Sequence, residues 1–225
     1  MSNPIALSRL LQLSSVSLPV GGYAFSQGME YAIECRWIKN FSDTEAWIRL
    51  QMRENLAKVD LPILRAAMES TAEKDWQRFM YLNDLSIASR ETKELRLTDT
   101  AMGAALLRLL KSLDFDLPEI ITQEGEEHSF ATLFAYAAQE WGIAYQDSAN
   151  GFVWSWLENQ VAAATKMVPL GQTQAQQMLT LFQPEIAETI TLAEQIDEGK
   201  IGGGLPGLAI ASALHEQQYS RLFRS

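Results

Sequence analysis

Apolar residues recur along this chain at the spacing of an α-helix, and this pattern constrains the fold more than any other feature. The clearest stripe begins at Phe130, takes every third or fourth position to Trp141, and is followed by Gly142. Residues at that spacing share one helix face, and a glycine just beyond them is a typical C-cap. No sustained two-residue alternation of Val, Ile and Thr indicates strands. The sequence therefore predicts an all-α fold, a single irregular bundle of about eight to ten helices forming one domain over residues 1–225.

Capping residues and a proline suggest where individual helices begin and break. Ser42–Glu45 (Ser-Asp-Thr-Glu) matches a capping box, in which the first hydroxyl and the last carboxylate accept free amide hydrogens at a helix start. A stripe from Leu179 to Ala193 contains Pro184, which is expected to kink or split its helix. The least regular segments, and hence the predicted loops, are residues 14–23, 114–128 and 199–206.

The charge balance restricts the classes of partner. Eighteen Lys and Arg against 28 Asp and Glu give the 225-residue chain a net charge of −10, which disfavours nucleic acid and anionic membranes. The single Cys35 excludes an internal disulfide framework, and the longest uncharged apolar-leaning stretch, Ile201–Leu214, is too short and too rich in glycine to span a bilayer. We expect a cytoplasmic protein without a signal peptide that binds other proteins or small molecules.

A glycine-rich segment resembles a dinucleotide-binding fingerprint. Residues Gly202–Gly207 satisfy the pattern G-x-G-x-x-G, which binds pyrophosphate only where a strand delivers the glycines to a helix. The preceding residues 191–200 are helical in pattern, and Pro206 removes one of the amides. This segment is better interpreted as a flexible joint before the last helix, and no cofactor is expected on this chain.

Ser26 lies in a sequence that is close to the nucleophile elbow of hydrolases. The pentapeptide Ala24–Gly28 differs at one position from G-x-S-x-G, but the elbow needs a strand and a parallel sheet that the sequence does not show. Ser26 is better interpreted as the N-cap of a short helix. A helical serine hydrolase using Ser26 and His215 remains a weaker alternative.

Two patterns resemble metal sites. His215–Tyr219 approaches the zinc motif H-E-x-x-H but ends in tyrosine, and a single helix-borne ligand does not hold a catalytic zinc. His215, Tyr219 and Leu222 are instead expected to share a half-buried face of one helix. Residues 114–128 form an acidic connector, which is more typical of a solvated loop than of a cation site. No catalytic residue and no metal site is predicted.

Two long segments resemble the UreF family of urease accessory proteins. The first is Leu10–Glu30, which contains Leu-Pro-Val-Gly-Gly-Tyr-Ala-Phe-Ser-Gln-Gly, and the second is the C-terminus, His215–Ser225. Ser89–Thr92 and Val168–Thr173 also look like internal signatures of that family. The resemblance runs from about Leu10 to the last residue.

The resemblance implies an all-α accessory protein that dimerises and is not an enzyme. UreF proteins bind a second accessory protein, UreD (also called UreH), and the pair recruits the GTPase UreG and assembles on apo-urease. There nickel is inserted at a carbamylated lysine, so nickel and GTP are expected to be handled by partners. Besides the hydrolase, a generic acidic scaffold without a role in urease maturation remains an alternative.

The C-terminal tail, residues 215–225, is the predicted partner-binding segment. Chain ends fray unless they dock, and Tyr, Phe and Arg are enriched at interface anchors. The residues expected to meet a UreD-like partner are His215, Tyr219, Arg221, Leu222, Phe223, Arg224 and Ser225. Alternatively, Arg221 pairs internally with an acid such as Glu30 and fixes the tail.

A second expected surface lies near the end of another helix. Lys166 is placed where the carbonyl dipole favours a cation, and this explains it structurally. We also expect Lys166 and Gln172 to lie on a face that meets the GTPase and modulates GTP hydrolysis. In the first loop, Ser26 and Glu30 are candidate polar contacts.

Overall fold

The computed structural model of the protein describes residues 4–224, and these contain no β-strand. The helices, in chain order, are α1 (Pro4–Leu13), α2 (Met29–Glu34), α3 (Phe41–Gln51), α4 (Leu61–Glu73), α5 (Trp76–Ala88), α6 (Lys93–Ser112), α7 (Glu119–Thr122), α8 (Phe130–Glu140), α9 (Tyr145–Met167), α10 (Gln172–Glu194) and α11 (Pro206–His215). A π-helix, Met52–Asp60, joins α3 to α4 without a break, and Gly22–Ala24 and Glu198–Lys200 form 3₁₀ turns. The all-α prediction is confirmed.

Helix α8 forms the centre of the bundle. Every residue from Phe130 to Ala138 is buried, because α4, α5, α6 and α9 surround this helix. At one end of α8 the Tyr136 ring packs between Trp76, Phe79 and Phe115, with ring centroids 6.2–6.3 Å apart. The Tyr136 hydroxyl donates to the carbonyl of Asp116 at 2.7 Å, which ties the acidic connector to the core.

The predicted capping box at the start of α3 and the predicted split of α10 are wrong. The N-cap of α3 is Asn40, whose Oδ1 accepts the amide hydrogen of Asp43 at 3.0 Å, so the predicted capping box at Ser42–Glu45 does not form. Pro184 lies within α10, which continues unbroken. It stands on the exposed side of that helix, where water satisfies the carbonyl that a proline leaves free, and buried Phe182 and Ile186 anchor the helix on both sides.

A buried charge network connects the π-helix to α6 and α8. Arg90 donates to Asp60 at 2.6 Å and to Asp99 at 3.1 Å, and Asp99 accepts the amide hydrogen of Phe130 at 2.9 Å. Burial raises the pKa of Asp60 although Arg90 opposes that shift. Burial alone would lower the pKa of Arg90, but the charges of the two aspartates outweigh it and raise that pKa. Within the segment Ser89–Thr92, Arg90 therefore has a structural role.

Among residues 4–224, no helix is both long enough and apolar enough to cross a membrane.

Candidate functional site: the docked C-terminal tail

The C-terminal tail packs against α2 and the loop before it. Gly28 has φ 78°, and a Cβ there would lie 3.2 Å from Leu208 and 3.3 Å from the Ser212 amide of α11. A glycine is thus needed for the backbone conformation and for the close approach of the two helices. Ser26 is completely buried, and its hydroxyl accepts the amide hydrogen of Glu30 at 3.4 Å. The N-cap position belongs to Gly28 rather than to Ser26, which corrects the sequence prediction.

The carboxylate of Glu30 holds the backbone of the tail. It accepts the amide hydrogens of Leu222 at 2.7 Å and of Phe223 at 2.9 Å, and it lies 3.1 Å from Nε2 of His215. Glu30 is buried, so these bonds form where water does not compete. Glu30 therefore accepts backbone amide hydrogens that the carbonyls of a helix or a neighbouring strand would otherwise accept.

Glu94, at the start of α6, is the second carboxylate of the site. Its oxygens lie 2.8 Å from Nδ1 of His215 and 2.9 Å from Nη1 of Arg221. The internal pairing of Arg221 that the sequence left open is therefore present, but its partner is Glu94 rather than Glu30. Glu94 was not identified from the sequence, because nothing local to it marks a residue that bonds 121 and 127 positions away.

His215 is the last residue of α11 and is completely buried between the two glutamates. The predicted helix face shared with Tyr219 and Leu222 does not exist, because the helix ends at His215 and both of those side chains are exposed. The two ring nitrogens of His215 face carboxylate oxygens, whereas the Ser26 hydroxyl bonds to a backbone amide. The geometry gives the serine hydrolase alternative no nucleophile–base pair.

Side chains of the tail divide into buried and exposed groups. Phe223 is 6% exposed, and its ring centroid lies 5.1 Å from Nζ of Lys166. The amide of Arg224 donates to the carbonyl of Ala24 at 2.9 Å. Tyr219 is fully exposed and Leu222 is 63% exposed, so the tail presents two large apolar side chains to solvent. Ser225, a predicted contact residue, lies outside the described residues.

Comparison with known proteins decides the family. The UreF family model matches residues 38–183. A UreF urease accessory protein from a Marinomonas species is 57% identical over 225 residues, covering 100% of this chain and 96% of the relative. Those of Alkalilimnicola ehrlichii and Chromohalobacter salexigens are 42% and 41% identical, covering 100% and 99% of this chain and 98% and 96% of the relatives. The chain belongs to the UreF family. The resemblance found in the sequence is confirmed.

In this member of the UreF family the glycine-rich segment is a packed loop. The Gly202 amide donates to the Lys58 carbonyl at 3.2 Å, and a Cβ at Gly203 would lie 2.7 Å from the Glu54 carbonyl oxygen. The segment does precede the last helix, as predicted, but it is held against the π-helix, and no strand leads into it. The surroundings required for a dinucleotide-binding loop are thus not found here.

Lys166 and Gln172 border the turn between α9 and α10, and both are exposed. Lys166 lies in the last turn of α9 near Phe223, so it adjoins the docked tail. Within residues 4–224, no group of three or more His, Cys, Asp or Glu side chains is arranged to hold a metal ion.

Proposed function

We propose that this chain is an assembly chaperone of urease maturation that supports nickel insertion by binding other proteins. In this proposal it bridges a UreD/UreH-type partner and the GTPase UreG on apo-urease, as a homodimer in the cytoplasm, without catalysing a reaction. The observation that carries the proposal is the tail: its backbone is fixed by Glu30 while Tyr219 and Leu222 stay exposed.

In the proposed partner surface, some residues contact the partner and others fix the tail in place. Tyr219, Leu222 and the solvent-facing portions of Arg221 and Arg224 contact the UreD/UreH-type partner, because Tyr and Arg are among the residues that provide most of the binding energy at such interfaces. Leu222 adds exposed apolar area beside them. The remaining residues expected at this surface act from inside the chain by fixing the tail; they are Phe223, His215, Ser26 and Glu30. A rigid tail lowers the entropy that partner binding must overcome.

The tail proposal is tested by pull-down with a chain that ends after Gln218. We expect this truncated chain to capture the UreD/UreH-type partner at least tenfold less well than the full chain. Undiminished capture would refute the assignment of the tail. Circular dichroism of the truncated chain checks that the helices persist.

We further propose that the face with Lys166 and Gln172 meets UreG and modulates GTP hydrolysis. Both residues are exposed at one turn of the bundle, and the Lys166 ammonium group adjoins the tail, so one surface continues into the other. In Lys166→Ala, GTPase recruitment or urease activation should change, whereas Lys74→Ala, another exposed lysine at a helix end, should not change either. Wild-type values of both quantities in Lys166→Ala would contradict this part.

The whole role is tested by co-expressing urease subunits with and without the chain and scoring urease activity. Nickel and GTP are bound by the partners in this proposal, so the chain alone should neither hydrolyse GTP nor retain nickel on a desalting column. Urease activity that is independent of the chain would favour the generic acidic scaffold instead. Ester hydrolysis that Ser26→Ala abolishes would favour the hydrolase.

A further inference from the structure

A groove of about 390 Å³ lies between the end of α2 and the end of α9. Its floor contains buried Ile38 and Val168, and its walls include half-buried Ile33 and Met167. The remaining lining residues are Arg36, Lys39 and Pro169. An apolar floor of this kind suits an aliphatic or aromatic side chain better than a free ion.

The rim of the groove is positively charged in a chain of net charge −10. Arg36 and Lys39 are exposed, and neither forms an ion pair within residues 4–224. None of the seven lining residues is acidic. The Asp43 carboxylate lies beside the rim, because it accepts the Lys39 amide hydrogen at 3.0 Å, so two cationic side chains stand against one carboxylate there. The local potential therefore favours an anionic partner although the molecule as a whole repels one.

Arg36 occupies a backbone position where glycine is the usual residue. It has φ 61°, the Trp37 amide donates to the Ala32 carbonyl at 2.8 Å, and the Arg36 amide donates to the Ile33 carbonyl at 2.9 Å. These bonds are those of a Schellman motif with Arg36 at the left-handed position, which glycine adopts without steric cost. Arg36 therefore places a guanidinium group at the groove from a backbone position that glycine would adopt with less strain.

We infer that this groove binds an acidic segment of a partner protein that inserts one apolar side chain between Ile38 and Val168. The carboxylates of the segment meet Arg36 and Lys39 at the rim. An anionic membrane fits less well, because the net charge of −10 repels an extended anionic surface. The inference rests on the proposed role as a protein-binding scaffold and specifies the chemistry of one partner segment.

The test uses the chain alone and three fluorescent peptides. The first is Glu-Glu-Leu-Phe-Glu-Glu, the second replaces Leu-Phe by Ser-Ser, and the third replaces the glutamates by lysines. We expect fluorescence anisotropy to show saturable binding of the first peptide only, weakening as salt rises from about 50 to about 300 mM because the rim charges are screened. Equal binding of all three peptides, or no saturable binding up to about 1 mM, would overturn the inference.

Two double variants localise the binding. Arg36→Gly/Lys39→Gln removes the rim charges, and Lys74→Gly/Arg108→Gln is the matched control, because Lys74 also has a left-handed backbone (φ 57°) and Arg108 is exposed. We expect the first variant to bind about tenfold more weakly without losing thermal stability, whereas the control binds like the parent chain. Unchanged affinity in the first variant would contradict the assignment.

Light scattering identifies a different occupant. If the parent chain is a dimer and Arg36→Gly/Lys39→Gln is a monomer, the groove binds a second copy and the proposed acidic segment is wrong. Because these measurements use no other accessory protein, failure of the groove leaves the co-expression result unaffected. Failure of the urease role likewise leaves peptide binding unaffected.

Discussion

At the residue scale, single buried polar groups organise the end of the chain. Glu30 accepts two amide hydrogens of the tail and faces one ring nitrogen of His215. Glu94 faces the other ring nitrogen and accepts a hydrogen bond from Arg221. Hydrogen bonds to charged groups contribute about 1.5–3 kcal/mol each, more than neutral ones. The tail is therefore fixed mainly through two carboxylates.

Removing Glu30 should release the tail and destabilise the chain. In Glu30→Ala the Leu222 and Phe223 amides and the His215 ring lose their acceptor, so we expect the free energy of unfolding to fall by about 2–4 kcal/mol. Hydrogen exchange at the two amides should rise at least tenfold. Glu34→Ala, an exposed position on the same helix, is the control and should change neither quantity. Unchanged protection of the two amides would show that Glu30 does not hold the tail.

His128 should make the stability of the fold depend on pH. It is 2% exposed, and burial lowers its pKa. Glu126 and the backbone at Ile121 oppose this shift, and Lys111 adds to it. The folded-state pKa of His128 lies below its ordinary value of about 6.5, so the stability that depends on a neutral His128 ring is fully present above pH 6.5. It is lost as the pH falls through the folded-state pKa.

The variant His128→Leu tests this pH dependence. Urea unfolding at pH 7.5 and pH 5 should show a smaller loss of stability on acidification in the variant than in the parent chain, by about 1.4 kcal/mol for each unit of pKa depression. Asn150→Leu, an exposed site, is the control and should keep the parent slope. Equal slopes for the parent chain and His128→Leu would exclude His128 as the cause.

At the scale of elements, close backbone contacts fix how helices cross. A Cβ at Gly103 in α6 would lie 1.9 Å from the carbonyl oxygen of His128, just before α8. Backbone atoms cannot yield as a flexible side chain does. Gly103 therefore sets the distance between α6 and the segment leading into the central helix.

The variant Gly103→Ala should be destabilised although alanine favours helices. We expect the free energy of unfolding to fall by about 2–4 kcal/mol, because α6 and residues 128–129 must separate. In Gly207→Ala, where nothing lies within 4 Å of the added carbon, stability should stay equal or rise by up to about 1 kcal/mol. Thermal denaturation of both variants measures the difference. Equal melting temperatures would show that the contact at Gly103 is not restrictive.

The sequence predicts elements well where one local pattern decides them. The stripe from Phe130 to Trp141 yields α8 and the left-handed Gly142 just beyond its C-cap, since periodicity alone specifies the buried face. The cap at Asn40 was missed because Ser42 offered an equally good local pattern. The role of Glu94 and the packing of Gly203 could not be predicted, because each depends on residues distant in sequence.

At the scale of the whole molecule, the docked tail joins the two chain segments that first indicated the family. The Leu10–Glu30 segment provides the Ala24 carbonyl and the Glu30 carboxylate, and the C-terminal segment provides the amides that bind them. Ser26 bonds to the Glu30 amide within the first segment. Their contacts explain why both segments are informative at opposite ends of the sequence. The fold thus makes one surface from the beginning and the end of the chain.

Mutations should separate the residues that fix the tail in place from the residues that contact the partner. Phe223→Ala removes a buried ring, so we expect a stability loss of about 3–5 kcal/mol together with weaker capture of the UreD/UreH-type partner. Tyr219→Ala/Leu222→Ala removes exposed side chains, so capture should weaken about tenfold while the melting temperature stays within about 2 °C of the parent value. Ile210→Ala, an exposed site on α11, is the control and should retain both properties.

Pull-down and thermal denaturation of the same preparations distinguish these cases. If Tyr219→Ala/Leu222→Ala lost stability as well as capture, the two side chains would be structural, and the tail would not present a partner surface. If the double variant kept both properties, Tyr219 and Leu222 would not be the partner contacts, and the described tail exposes no other large apolar side chains that could replace them. Only loss of capture at parental stability agrees with a tail that Glu30 and Glu94 fix in place for recognition, because rigidity and contact then come from different residues.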